Sequence, residues 1–164
     1  MTWRQHSKQV ISSSTCAYDR VFIRLQELAA KLKAEGNDLF RQEKFSDAAE
    51  RYSQAIENDP SEAALYSNRA ACYASLEKWE ESLQDANTCL ELRPDWPKGY
   101  FRRALALSKT GHVLEGRSMC DVGLRLDPES KELSDLRTTI QEKVSFNRLV
   151  LLNSYYKSAC AECS

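Results

Sequence analysis

The chain has 164 residues, 42% hydrophobic and 29% charged, with 23 basic against 24 acidic side chains and a net charge of −1. That length supports one domain with a real core, while a mean hydropathy of −0.57 leaves much of the surface solvated. Near-neutrality argues against a general polyanion binder working by counterion release, so no nucleic-acid partner is expected and any anion site must be local.

At the start, MTWRQHSKQVISSST lacks the long apolar segment of a secretory signal. Nor is there a run of about 18 apolar residues to span a bilayer, so a cytosolic protein with no membrane association is expected. Residues 1–18 show no periodicity and are expected to be disordered. From about Asp19, Val21, Leu25, Leu28 and Leu32 recur at helical spacing and extend the first repeat helix backwards.

Pro60, Pro94 and Pro128 are spaced by 34 residues, the strongest organising signal in the chain. With each proline at position 32, the units span 29–62, 63–96 and 97–130. Their eighth residues are Gly36, Ala70 and Ala104, and their twentieth are Ala48, Ser82 and Gly116. Small residues at both places let two antiparallel helices approach closely. The large residues at position 11, Leu39, Tyr73 and Leu107, fill the space between them.

Each unit therefore reads as a helix pair. In the first, LAAKLKAEGNDLF carries Leu28, Leu32, Gly36 and Leu39 on one stripe, QEKFS breaks it, and Ser46 is placed to cap DAAERYSQAIEN. The second pair is AALYSNRAACYASL and KWEESLQDANTCLEL. In the third, Asp95 reads as the N-cap, Pro97 sits in the first turn where its missing N–H costs nothing, and Gly111 ends the helix before VLEGRSMCDVGLRL. Cys72, Cys89 and Cys120 fall at small or apolar positions of these helices and read as buried free thiols.

This pattern resembles the tetratricopeptide repeat, whose helix pairs stack into a right-handed superhelix with a concave groove lined by the first helix of each pair. The resemblance covers 29–130 and implies an all-α fold of three repeats. Two departures stand out. The aromatic usual at position 24 is Tyr52 in the first unit but Ala86 and Cys120 in the others, and position 27 of the third unit is Gly123. A helix-interior glycine costs about 1 kcal/mol against alanine, so a looser final pair is expected.

A solenoid end exposes an apolar flank unless something covers it. Leu133, Leu136, Ile140 and Val144 continue at helical spacing and predict a capping helix over about 130–145. The expected organisation is a repeat domain over 19–145 and a tail over 146–164. Cys160 and Cys163 in that tail are half a zinc ligand set with no second pair or histidine nearby, so no metal is predicted.

In the repeat family the groove is lined mainly by positions 2, 5, 6, 9 and 12 of each first helix. Those positions hold Lys33 and Asn37, then Asn68, then Lys98 and Arg102. Each i, i+4 pair projects from one helix face whatever the family. Lysine and arginine are pure donors and asparagine adds an amide N–H pair, with no acid among the same positions, so the complement is a carboxylate or phosphate. Charge-assisted hydrogen bonds of about 1.5–3 kcal/mol each, less the ordering cost, support roughly micromolar binding.

Residue by residue, LKAEGN, YSNRA and KGYFRR resemble the dicarboxylate clamp of chaperone-binding tetratricopeptide domains, such as those of the heat-shock organising protein and protein phosphatase 5. The resemblance implies that Lys33, Asn37 and Asn68 hold the terminal carboxylate of a peptide ending in Glu-Glu-Val-Asp. Lys98 and Arg102 would hold the aspartate side chain and nearby backbone. Phe40, Ala71, Ala74, Phe101 and Leu105 would offer apolar groove surface. The implied partners are tails of seventy- or ninety-class heat-shock chaperones, taken up by a monomeric adaptor.

Other classes are poorly supported. His6 and His112 lie near no credible nucleophile or carboxylate pair, and the five glycines form no phosphate loop, so neither an enzyme nor a cofactor is expected. The competing reading is a repeat scaffold that binds a non-chaperone partner through another surface.

Overall fold

The structure is a computed structural model that describes the backbone of residues 3–161 and the side chains of 19–146 and 149. Among the described residues there are seven helices and no strand: α1 (Trp3–Arg41), α2 (Phe45–Asn58), α3 (Ala63–Ser75), α4 (Trp79–Leu92), α5 (Pro97–Lys109), α6 (Val113–Leu126) and α7 (Lys131–Ala161). Each helix packs on its neighbours in the chain, and α3 also touches α5 as α5 touches α7. The odd-numbered helices thus form one wall and the even-numbered helices the other.

The three helix pairs fall where the 34-residue spacing places them. Their turns share one device. Glu43, Glu77 and Gly111 have φ of 61°, 58° and 93° and are themselves 34 residues apart. In the first turn Lys44 N donates to Leu39 O at 3.0 Å and Glu43 N to Phe40 O at 3.0 Å. In the second, Lys78 N donates to Tyr73 O at 2.8 Å and Glu77 N to Ala74 O at 3.2 Å. This is a Schellman ending, which requires a left-handed residue just past the helix.

The caps differ from expectation. The N-cap of α2 is Lys44 and that of α5 is Trp96, neither with a side-chain capping bond, so Ser46 lies inside the first turn and Asp95 lies before the cap. Pro97 is the first residue of α5, as read from the sequence.

Close approach accounts for the small residues. Ser82 Oγ donates to the Ala70 carbonyl at 3.0 Å, joining positions 20 and 8 of the second unit. A Cβ on Gly36 would lie 2.8 Å from Tyr52 Cε1, so the glycine lets the Tyr52 ring lie against α1. Gly123 corrects an expectation. It does not loosen the last pair: a Cβ there would stand 2.8 Å from Leu133 Cδ1, so the missing side chain is the seat of α7.

One buried cluster joins Ala29, Ala48, Ala49, Tyr52, Ala55, Leu65 and Cys72 between α1, α2 and α3. A second joins Ala104, Cys120, Leu133 and Ile140, with Leu136 packed against it, so α7 covers the end of the stack. Cys72, Cys89 and Cys120 are buried free thiols. Burial pushes Cys72 up to about 12, and Cys89 and Cys120 up to about 11.

Both terminal helices are longer than expected. α1 begins at Trp3, so the segment expected to be disordered continues the helix, and α7 runs past 145 to Ala161. Neither extension contains a glycine or proline to stop it. On the first, Val21 is 56%, Leu25 39% and Leu28 44% exposed, so the apolar stripe meets the core only from Ala29 onwards. Cys163 lies outside the described residues.

Candidate functional site

The wall built by α1, α3 and α5 borders an open cavity of about 350 Å³. It is lined by Asn37, Phe40 and Arg41 from α1, Tyr52 from α2, Asn68 and Ala71 from α3, and Lys98 and Arg102 from α5. The helical spacing explains the set: Asn37 and Arg41 are four apart, as are Lys98 and Arg102, so each pair shares a face.

Hydrogen bonds orient the amides. Tyr52 Oη donates to Asn37 Oδ1 at 2.8 Å, and Asn68 Nδ2 donates to the same oxygen at 3.2 Å. With its carbonyl held from two sides, Asn37 turns its N–H pair the other way. Burial raises the Tyr52 hydroxyl to about 12, keeping it a donor.

Arg102 is half-buried and its Nε is buried with no partner among the described residues. Its guanidinium carbon sits 5.3 Å from the Phe101 ring centroid. Burial lowers the pKa of Arg102, and the Glu132 carboxylate acts in the opposite sense. Among the described residues no acidic side chain lines the cavity. A pocket of cations and amide donors with one buried N–H unused is suited to oxygen anions.

Four of the five donors read from the sequence, Asn37, Asn68, Lys98 and Arg102, come together here with Phe40 and Ala71. Lys33 does not line the cavity. It lies one turn before Asn37, and its Nζ donates to Glu62 Oε1 at 2.6 Å, so an acid from outside the groove positions accompanies the donor set. Phe101 instead borders a second hollow of about 240 Å³ together with Lys98, Trp96 and Glu132. Ala74 and Leu105 are half-buried and border neither hollow.

Residues 33–97 match the family model of the tetratricopeptide repeat. The chain carries a tetratricopeptide repeat domain. The protein STIP1 homolog of Dictyostelium discoideum is 42% identical over 107 residues, 65% of this chain and 19% of that protein. Among solved structures, the first such domain of Spaghetti (RPAP3), bound to the HSP90 peptide SRMEEVD, superposes with a TM-score of 0.71 at 28% identity, covering 73% of this chain and 95% of that one. The second such domain of human RPAP3, in complex with the HSP70 peptide SGPTIEEVD, gives 0.69 at 28% identity, covering 71% and 98%. The repeat domain accounts for only part of the curated relatives, 18% to 47% of their length in such matches.

Sequence reasoning about the repeat domain overlooked Arg41, Tyr52 and Glu62. Arg41 was accessible, being one turn beyond Asn37 on the same face. Tyr52 read as packing because it lies on a second helix. Glu62 precedes α3, where no helical spacing applies.

Arg69, beside Asn68, serves the scaffold. Its Nε donates to Asp85 Oδ2 at 2.8 Å, its Nη2 to Asp85 Oδ1 at 2.7 Å and its Nη1 to Ser53 Oγ at 2.9 Å, tying α3 to α4 and α2. The hydrogen bond to Asp85 raises its pKa further. Among the described residues no helix is long and apolar enough to cross a membrane, and no group of acids, histidines and cysteines could hold a metal ion.

Proposed function

We propose that this repeat domain is a chaperone adaptor, a cytosolic, monomeric, non-enzymatic module that captures the acidic C-terminal tail of seventy- or ninety-class heat-shock proteins. The observation that carries the reading is the cavity itself. Asn37, Asn68, Lys98 and Arg102 border it without a carboxylate among them. Similar domains have been solved with HSP90 and HSP70 peptides ending in Glu-Glu-Val-Asp.

In this reading Asn37 and Asn68, joined by Lys33 on binding, hold the terminal carboxylate, and Lys98 and Arg102 hold the aspartate side chain. Phe40 and Ala71 offer apolar surface to upstream residues, with Phe101 serving the neighbouring hollow. The deciding measurement compares a fluorescent peptide ending in Glu-Glu-Val-Asp with the same peptide amidated at its C-terminus. The free acid binds with roughly micromolar affinity and the amide at least about tenfold more weakly. Equal affinity for both would reject the clamp in favour of another surface.

A further inference from the structure

Lys33 and Glu62 form a short ion pair, 2.6 Å from Nζ to Oε1, with side chains 31% and 29% exposed. The pair joins α1 to the residue that opens α3, across 29 positions of sequence. Glu62 occupies the N-cap of α3, but its side chain makes no capping hydrogen bond. The entry to that helix is held by backbone, Leu65 N donating to Glu62 O at 3.0 Å. The carboxylate thus makes no hydrogen bond to the helix entry, and its partner is a lysine of the donor set.

We propose that Glu62 is a specificity-setting residue of the peptide site, an internal acid that occupies Lys33 in the free protein and that an incoming carboxylate must displace. This rests on the reading of the cavity as a carboxylate site. A lysine ammonium on its four-carbon stem can exchange one oxygen anion for another by rotating its side chain. The exchange costs the ligand twice: the existing charge-assisted bond is given up, and the released Glu62 carboxylate remains near the new anion. A chain end with a single acid then gains little from Lys33. One carrying a second acid for Lys98 and Arg102 has the additional attraction to complete the exchange, so Glu62 favours diacidic ends over ordinary C-termini.

The experiment measures binding of the free-acid Glu-Glu-Val-Asp peptide to the whole chain by fluorescence anisotropy, for wild type, Glu62→Gln, Glu62→Asp and Arg102→Ala. Glu62→Gln keeps the shape and removes the charge; it binds about three- to tenfold more tightly. Glu62→Asp keeps the charge and loses one methylene of reach, so its hold on Lys33 weakens and its affinity falls between the two. Circular dichroism is unchanged in both, since no capping bond is lost. Equal or weaker binding by Glu62→Gln, while Arg102→Ala still weakens binding by at least about thirtyfold, overturns the competitor and leaves the clamp standing. A gain for Gln with none for Asp traces the effect to charge alone and also overturns the pairing. No binding by wild type or either Glu62 variant removes both readings.

Discussion

Arg69 grips Asp85 through two parallel hydrogen bonds, Nε to Oδ2 at 2.8 Å and Nη2 to Oδ1 at 2.7 Å, while Asp85 is only 4% exposed. The guanidinium also stands 5.8 Å from the ring centroids of both Tyr66 and Tyr73. The pair thus connects two helices of the second repeat beneath the groove, one residue from Asn68. A planar fork meeting a carboxylate has no substitute in a single ammonium.

Arg69→Ala leaves a buried carboxylate without its cation, and the expected loss is about 3 kcal/mol of unfolding free energy. Arg69→Lys recovers less than half of that. Urea denaturation followed by circular dichroism reads both. A loss below about 1 kcal/mol for alanine would show that the pair is not needed to hold α3 on α4.

The recurrent left-handed turn residue makes an opposite-sign prediction. Glu43 and Glu77 are exposed and carry positive φ, a conformation that costs an L-residue roughly 1 kcal/mol and glycine almost nothing. Glu77→Gly therefore stabilises by up to about 0.5 kcal/mol after the larger entropy of the unfolded glycine is counted. Gly111→Ala destabilises by about 1 kcal/mol, and among the described residues beyond its chain neighbours nothing lies within 4 Å of the added Cβ, so the effect is one of backbone conformation. Thermal melts of the two variants moving in the same direction would contradict the account.

These examples mark what the sequence could disclose. The helix pairs were legible because Pro60, Pro94 and Pro128 and the small residues at positions 8 and 20 are set by packing, which repeats with the unit. The caps at Ser46 and Asp95 were misplaced because the helix starts at Lys44 and Trp96 use no side-chain bond, so cap preference had nothing to report. The lengths of α1 and α7 were not legible because residues 3–18 show no periodicity in sequence and no glycine or proline marks where either extension stops. That Asn37, Asn68, Lys98 and Arg102 share one cavity was legible from their repeat positions and, for the two α5 cations, from i, i+4 spacing. The Lys33–Glu62 pair was not, since it couples a helix face to a loop residue of the next repeat.

Burial also ranks the two cations of α5. Arg102 is half-buried with an Nε that has no partner among the described residues, whereas Lys98 is exposed. A ligand oxygen that reaches Arg102 satisfies a donor already removed from water, so the exchange with solvent that weakens most surface pairs is largely avoided. Arg102→Ala is accordingly expected to weaken the free-acid Glu-Glu-Val-Asp peptide by at least about thirtyfold, roughly 2 kcal/mol. Arg102→Lys should not restore it, because one ammonium cannot reproduce the guanidinium fork. Lys98→Ala costs less, about three- to fivefold, and its contribution shrinks as salt rises, since an exposed charge is screened where a buried one is not. Lys98→Glu abolishes binding by placing a like charge at the ligand. Isothermal titration at low and high salt, with circular dichroism to verify folding, separates the two residues. If Lys98→Ala proved the more damaging change, the aspartate side chain would have to lie over the exposed rim and not against Arg102.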